Sequence, residues 1–158
     1  MKTSPLNCVV DASVGIKLFV KEEFSDKTRA LFAQLTMSPP AQLYVPDLFF
    51  IECTNILWKY TRRFNYPGDK ARQHLINLEN LALQRTPTSD LMVEALDIAV
   101  RHTISAYDAC YVALAQRLDL PLVTADEKLV NQLCHANYRI HRLKDFSIPL
   151  ENERAIPS

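Results

Sequence analysis

Glycine is scarce: the 158 residues contain two, Gly15 and Gly68. A phosphate-cradling loop needs several closely spaced glycines, so a nucleotide-cofactor enzyme of that type is disfavoured. The four cysteines, Cys8, Cys53, Cys110 and Cys134, form no Cys-x-x-Cys pair. Three of them lie in apolar runs, where a buried, reduced thiol is the ordinary state. The histidines His74, His102, His135 and His141 show no zinc-ligand spacing. No apolar run approaches membrane-spanning length, and Pro5 followed closely by a strand argues against a signal peptide. The expectation is a cytoplasmic protein with no membrane partner. Net charge is missing too: 18 Lys and Arg balance 18 Asp and Glu. A polyanionic partner must therefore meet a local basic patch.

What is present is an ordinary core composition, 48% apolar and 23% charged. The length suits one domain, expected over residues 1–146, with a loose tail over 147–158. Asn7 to Asp11 reads as a buried strand and Ser13 to Val20 as a short helix. Ser25 suits the N-cap of a helix to about Leu35, stopped by Pro39-Pro40. Leu43 to Val45 is a brief strand. Asp47 to Arg63 is a long helix with Pro46 at its start and Arg62-Arg63 at its end.

After Pro67-Gly68 a helix is expected to about Gln84, with Ala71, Leu75, Leu78 and Ala82 on one stripe. Ser89 suits the cap of a helix through Arg101, with Leu91, Met92, Ala95, Ile98 and Ala99 inward. Ser105 opens a buried helix that ends near Leu118. A strand from Pro121 to Thr124, a helix from Asp126 to Cys134 and a strand from Tyr138 to Leu143 follow. Short apolar strands alternating with helices predict an α/β fold, a three-layer α/β/α sandwich with a short, mostly parallel central sheet.

Parallel sheets bind ligands beyond the carboxyl ends of their strands, near the topological switch point. Asp11 ends the first strand. Asp126 follows Leu122-Val123-Thr124 by one residue. Asp108 sits in the first turn of the Ser105 helix. Glu52 lies about one and a half turns into the long helix, and its length lets it reach back. Each acid also has a plain structural explanation. Asp11, Asp126 and the Ser105–Asp108 pair are all good capping patterns. Glu52 suits a surface role least, because Leu48, Phe49, Phe50, Ile51, Cys53, Ile56 and Leu57 leave only a narrow polar stripe of Glu52, Asn55 and Lys59.

Four carboxylates in one cleft repel. Two unit charges about 4 Å apart cost roughly 4 kcal/mol at an effective dielectric near 20. A divalent cation removes that cost, and all-oxygen ligands favour Mg²⁺ or Mn²⁺ over Zn²⁺. Such an ion polarises a phosphoryl oxygen and makes water a better nucleophile.

With these residues in view, the chain resembles the PIN domain, of the VapC-like ribonuclease toxin type. The likeness rests on Val-Val-Asp-Ala-Ser-Val at 9–14, Pro-x5-Glu-x2-Asn from Pro46 to Asn55, Tyr-Asp-Ala-x-Tyr-Val-Ala-Leu-Ala at 107–115, and Leu-Val-Thr-Ala-Asp at 122–126. The resemblance implies Mg²⁺- or Mn²⁺-dependent cleavage of single-stranded RNA, leaving a 5′-phosphate and a 3′-hydroxyl. It implies Asp11, Glu52, Asp108 and Asp126 as the catalytic, metal-holding quartet, with Ser13, Asn55 and Thr124 in support. It further implies a homodimer and a small antitoxin protein. Lys17, Lys59, Arg62 and Arg63 are the candidate phosphate contacts, with Lys21 and Arg72 nearby and Tyr60 and Tyr66 as possible stacking residues. Glu127 has no assigned role and suits a solvent-facing position.

Two other classes fit less well. A haloacid-dehalogenase-like phosphatase needs a second aspartate two residues after the first, where this chain has Ser13. A binding module without catalysis has no use for four uncompensated acids in an RNA cleft.

Overall fold

The computed structural model describes residues 6–147. Five short strands form one wholly parallel sheet: β1 (Cys8–Val10), β2 (Leu43–Pro46), β3 (Gln84–Thr86), β4 (Leu122–Thr124) and β5 (Ile140–Arg142). Their spatial order is β3-β2-β1-β4-β5. The chain builds outward from β1 to β3, then returns to the other side of β1. The switch point therefore falls between β1 and β4. All of β1 and β4 is buried, as expected of central strands covered on both faces.

Helices cover the sheet: α1 (Ala12–Gly15), α2 (Ser25–Ala33), α3 (Leu48–Phe64), α4 (Gly68–Glu79), α5 (Met92–His102), α6 (Ala106–Leu118) and α7 (Glu127–Leu133). The central helix α6 packs on β1, β2 and β4 and against α5. Its run Ala109–Ala115 is buried on every side, which explains its near-absence of polar residues. The helix α3 packs on α1, α4 and β2. No helix among the described residues is long and apolar enough to cross a membrane.

The expected three-layer α/β/α architecture holds, with local differences. The helix predicted to reach Gln84 stops at Glu79, and Gln84–Thr86 forms β3, paired with β2 from Tyr44 to Pro46. Gln-Arg-Thr carries no apolar signal because Gln84 and Arg85 on this edge strand are exposed. Ala82 is exposed outside any helix, and Leu83 takes the buried place. Ser25 is not a cap. Its buried hydroxyl accepts from the Glu22 N–H at 2.9 Å and donates to the Val20 carbonyl at 3.3 Å, while Phe24 enters α2 at φ 65°. Ser89 lies in a 3-10 turn, Thr88–Leu91, and α5 begins at Met92. Leu91, Ala95 and Ile98 face inward, but Met92 is exposed. The helix expected from Ser13 to Val20 is four residues of α1 followed by a 3-10 turn, Ile16–Leu18. Of the expected tail, all but Ser147 lies outside the described residues.

Gly15 matters for close approach. A Cβ there would meet Phe49 Cζ at 2.5 Å and Cε2 at 2.7 Å, and Phe49 is fully buried. The missing side chain lets α1 lie against α3, the two helices that lead from Asp11 and carry Glu52. Gly15→Ala is expected to lower stability by about 1–3 kcal/mol through overpacking. Urea unfolding reads this directly; an unchanged midpoint would mean that Phe49 moves aside freely.

Candidate active site

The fold brings the four acids to one edge for separate reasons. Asp11 leaves the carboxyl end of β1 and caps α1, accepting the Val14 N–H at 3.3 Å. Asp126 follows β4 and caps α7, accepting the Leu129 N–H at 3.1 Å. Helices before and after parallel strands run against them. Both α3, after β2, and α6, before β4, therefore begin at the strands' carboxyl edge. Asp108 stands in the first turn of α6, where Ser105 accepts its N–H at 3.0 Å. Glu52 is the fifth residue of α3. Capping and a place at the carboxyl edge of the sheet are thus both true of Asp11 and Asp126: the cap fixes the backbone that carries the acid.

Asp11 is 5% exposed. Ser13 Oγ donates to its Oδ1 at 2.5 Å, and Thr124 Oγ1 donates to its Oδ2. The same hydroxyls accept from the next strand's end: Ala125 N–H to Ser13 at 3.0 Å and Asp126 N–H to Thr124 at 3.0 Å. Two hydroxyls therefore lace β1 to β4 across the switch point. Asn55 is exposed on α3.

The acids feel one another. Burial pushes the Asp11 carboxyl up to about 6, despite its hydrogen bonds, and the charge of Asp108 adds to the rise. Burial also raises Glu52, opposed by a hydrogen bond from Tyr111 and assisted by Asp108. Burial and then the charge of Asp126 raise Asp108. Asp108 is thus the electrostatic link between Asp11, Glu52 and Asp126. Among the described residues, no three histidine, cysteine, aspartate or glutamate side chains stand close enough together to hold an ion. The donor set of the four acids is nonetheless all oxygen, flanked by two hydroxyls, and matches a hard divalent ion in chemistry.

Sequence reasoning missed Tyr111, whose hydroxyl donates to Glu52 Oε1 at 2.6 Å. The available signal was a tyrosine inside an otherwise apolar helix, where a buried hydroxyl needs a partner. The expected phosphate contacts divide. Lys17 is 8% exposed, with its ammonium paired to Glu22 at 2.9 Å, so it is not on an open surface. Lys59, Arg62 and Arg63 are exposed, and the Arg62 guanidinium lies 5.6 Å from the Trp58 ring centroid. The polar stripe beside Glu52 is less isolated than expected, because Ile51 is 66% exposed. Tyr60 and Tyr66 are half-buried. Tyr60 donates to Glu22, and the Tyr66 hydroxyl lies 2.6 Å from His74 Nε2. Glu127 is exposed and pairs with Arg142 at 2.8 Å and Lys144 at 3.4 Å.

The sequence and the fold are both similar to those of known proteins. Residues 8–132 match the PIN domain family model. The chain is 33% identical over 129 residues to Ribonuclease VapC3 of Pyrobaculum aerophilum, covering 80% of this chain and 95% of that protein. It is 34% identical over 121 residues to Ribonuclease VapC9 of Mycobacterium tuberculosis, covering 77% and 87%. The chain belongs to the PIN domain family. Among solved structures it resembles PAE2754 from Pyrobaculum aerophilum, with TM-score 0.60, 25% identity, and coverage of 88% of this chain and 92% of that one. It also shares its fold with a toxin–antitoxin complex chain from Klebsiella pneumoniae, at TM-score 0.61, 16% identity, and coverage of 89% and 99%.

A buried acid whose folded pKa exceeds its unfolded value of 3.8 stabilises the fold below that value. The contribution is lost as pH rises through about 6. Without metal, Asp11 is then a net cost at neutral pH of up to about 3 kcal/mol. Asp11→Asn keeps the capping oxygen and removes the charge. The metal-free variant is expected to melt higher than the parent at pH 7, with the gap closing below pH 4. Thermal unfolding in chelator checks this; equal or lower stability at pH 7 would contradict a charge held under strain.

Proposed function

We propose that this chain is a metal-dependent endoribonuclease that hydrolyses single-stranded RNA, acting as the toxin of a toxin–antitoxin pair. The observation that carries the reading is the desolvated Asp11 at the switch point, laced by Ser13 and Thr124 and electrostatically coupled through Asp108 to Glu52 and Asp126. The identity to two ribonucleases over about four-fifths of the chain supports the reaction type.

Asp11, Glu52, Asp108 and Asp126 would hold Mg²⁺ or Mn²⁺. When bound, the ion supplies Lewis-acid stabilisation of phosphoryl charge and a stronger water nucleophile. The chain's own residues do the positioning. Ser13 and Thr124 fix both oxygens of Asp11, and the Thr124 hydroxyl also fixes the amide of Asp126. Lys59, Arg62 and Arg63, on the exposed side of α3, meet backbone phosphates, which makes affinity salt-dependent. Water adds to phosphorus as the bond to the 3′-oxygen breaks. The proton goes to that oxygen, leaving a 5′-phosphate and a 3′-hydroxyl.

A homodimer is part of the same reading. The outer face of α5 offers exposed Met92, Val93, Leu96 and Val100, with Tyr107 on neighbouring α6 also exposed. An apolar surface of that kind supports burial against a second copy. The antitoxin partner follows from the toxin-type family resemblance.

The test is cleavage of an unstructured RNA by the purified chain. EDTA should abolish it, Mg²⁺ or Mn²⁺ should restore it, and Asp11→Asn should lower it at least about a hundredfold, beyond what loss of a supporting hydrogen bond costs. Cleavage that survives both chelator and substitution would remove the proposal.

A further inference from the structure

Tyr111 is 1% exposed in the centre of α6, among residues that are all buried. Packing alone does not call for a hydroxyl there, since phenylalanine fills the same space and brings no polar atom into the core. The hydroxyl crosses to α3 and donates to Glu52 Oε1 at 2.6 Å, a length typical of a charge-assisted bond. Among the described residues, Oε1 is the one Glu52 oxygen that receives a side-chain hydrogen bond. Oε2 is left for another partner. Tyr111 also follows Asp108 by three residues on α6, so the helix that supplies one acid also grips another.

We propose that Tyr111 is a positioning residue that keeps Glu52 a one-oxygen ligand and so favours a small octahedral ion over a larger one. This rests on the metal-dependent reading above. The tyrosine takes one lone pair of Oε1 and fixes the carboxyl plane, so Oε2 is the freer ligand and a two-oxygen grip is disfavoured, which suits an ion of strict octahedral geometry. Ca²⁺ takes more oxygens and accepts both from one carboxylate. Released from the tyrosine, Glu52 can rotate and offer both oxygens. It must also be ordered afresh each time an ion binds, which weakens binding of the small ion.

The experiment is calorimetric titration of Mn²⁺ and of Ca²⁺ into the parent chain, Tyr111→Phe, Glu52→Gln and the double variant, with circular dichroism to confirm folding. Tyr111→Phe is expected to weaken Mn²⁺ binding about tenfold and to narrow the Mn²⁺-over-Ca²⁺ preference at least about threefold. On the Glu52→Gln background it should add nothing. Tyr111→4-fluorophenylalanine, which fills the hydroxyl's volume without donating, serves if Tyr111→Phe folds poorly. Unchanged affinity and preference in a folded variant would overturn the role of Tyr111 alone. So would an equal loss with and without Glu52. A parent chain that binds neither ion would overturn the metal reading itself.

Discussion

Everything at the candidate site depends on one constraint: a carboxylate, Asp11, is held out of water at the sheet edge where Glu52, Asp108 and Asp126 also lie. Asp11 leaves the most enclosed strand of the sheet, and the fold leaves it 5% exposed. An isolated buried charge is intolerable, so the surroundings answer it with two hydroxyls and an amide. Those groups reduce the cost without cancelling it, as the upward push on Asp11 to about 6 shows. The remaining imbalance is what a cation would relieve. If Asp11 holds the proposed cation, function and fold pull on the same residue in opposite directions.

The supporting side chains act in pairs of roles. Ser13 and Thr124 each donate to Asp11 and accept an amide from the segment after β4, so one arrangement both steadies the acid and joins β1 to β4. Tyr111 joins α6 to α3 through Glu52. Gly15 permits the close approach of α1 and α3 by having nothing to place against Phe49. The site is therefore assembled by contacts between elements far apart in sequence, and each contact uses a residue type that the core around it does not otherwise need.

Much of this was legible in the sequence because it depends on position along strands and helices. The apolar triplets ending at Asp11 and Thr124 mark β1 and β4. The switch-point rule then fixes where Asp11 and Asp126 lie, and helix direction fixes the edge for Asp108 and Glu52. Less legible was whatever depends on partners across space. Gln84–Thr86 carries no strand signal because its pairing is with β2 alone and the Gln84 and Arg85 side chains are exposed. Ser25 has a capping residue's identity but turns its hydroxyl to Val20 and Glu22. Lys17 looks like a surface cation until Glu22 is placed beside it. Tyr111 reads as core until its hydroxyl is seen to reach Glu52.

The central claim is that Asp11, Glu52, Asp108 and Asp126 close around a cation that is needed to balance them. Diffraction from crystals soaked in Mn²⁺, recorded at the manganese absorption edge, addresses it most directly. The predicted result is an anomalous peak in contact with an Asp11 oxygen and oxygens from at least two of the other three acids. A well-ordered site with no peak there, or manganese bound only elsewhere while these carboxylates stay apart, would contradict it.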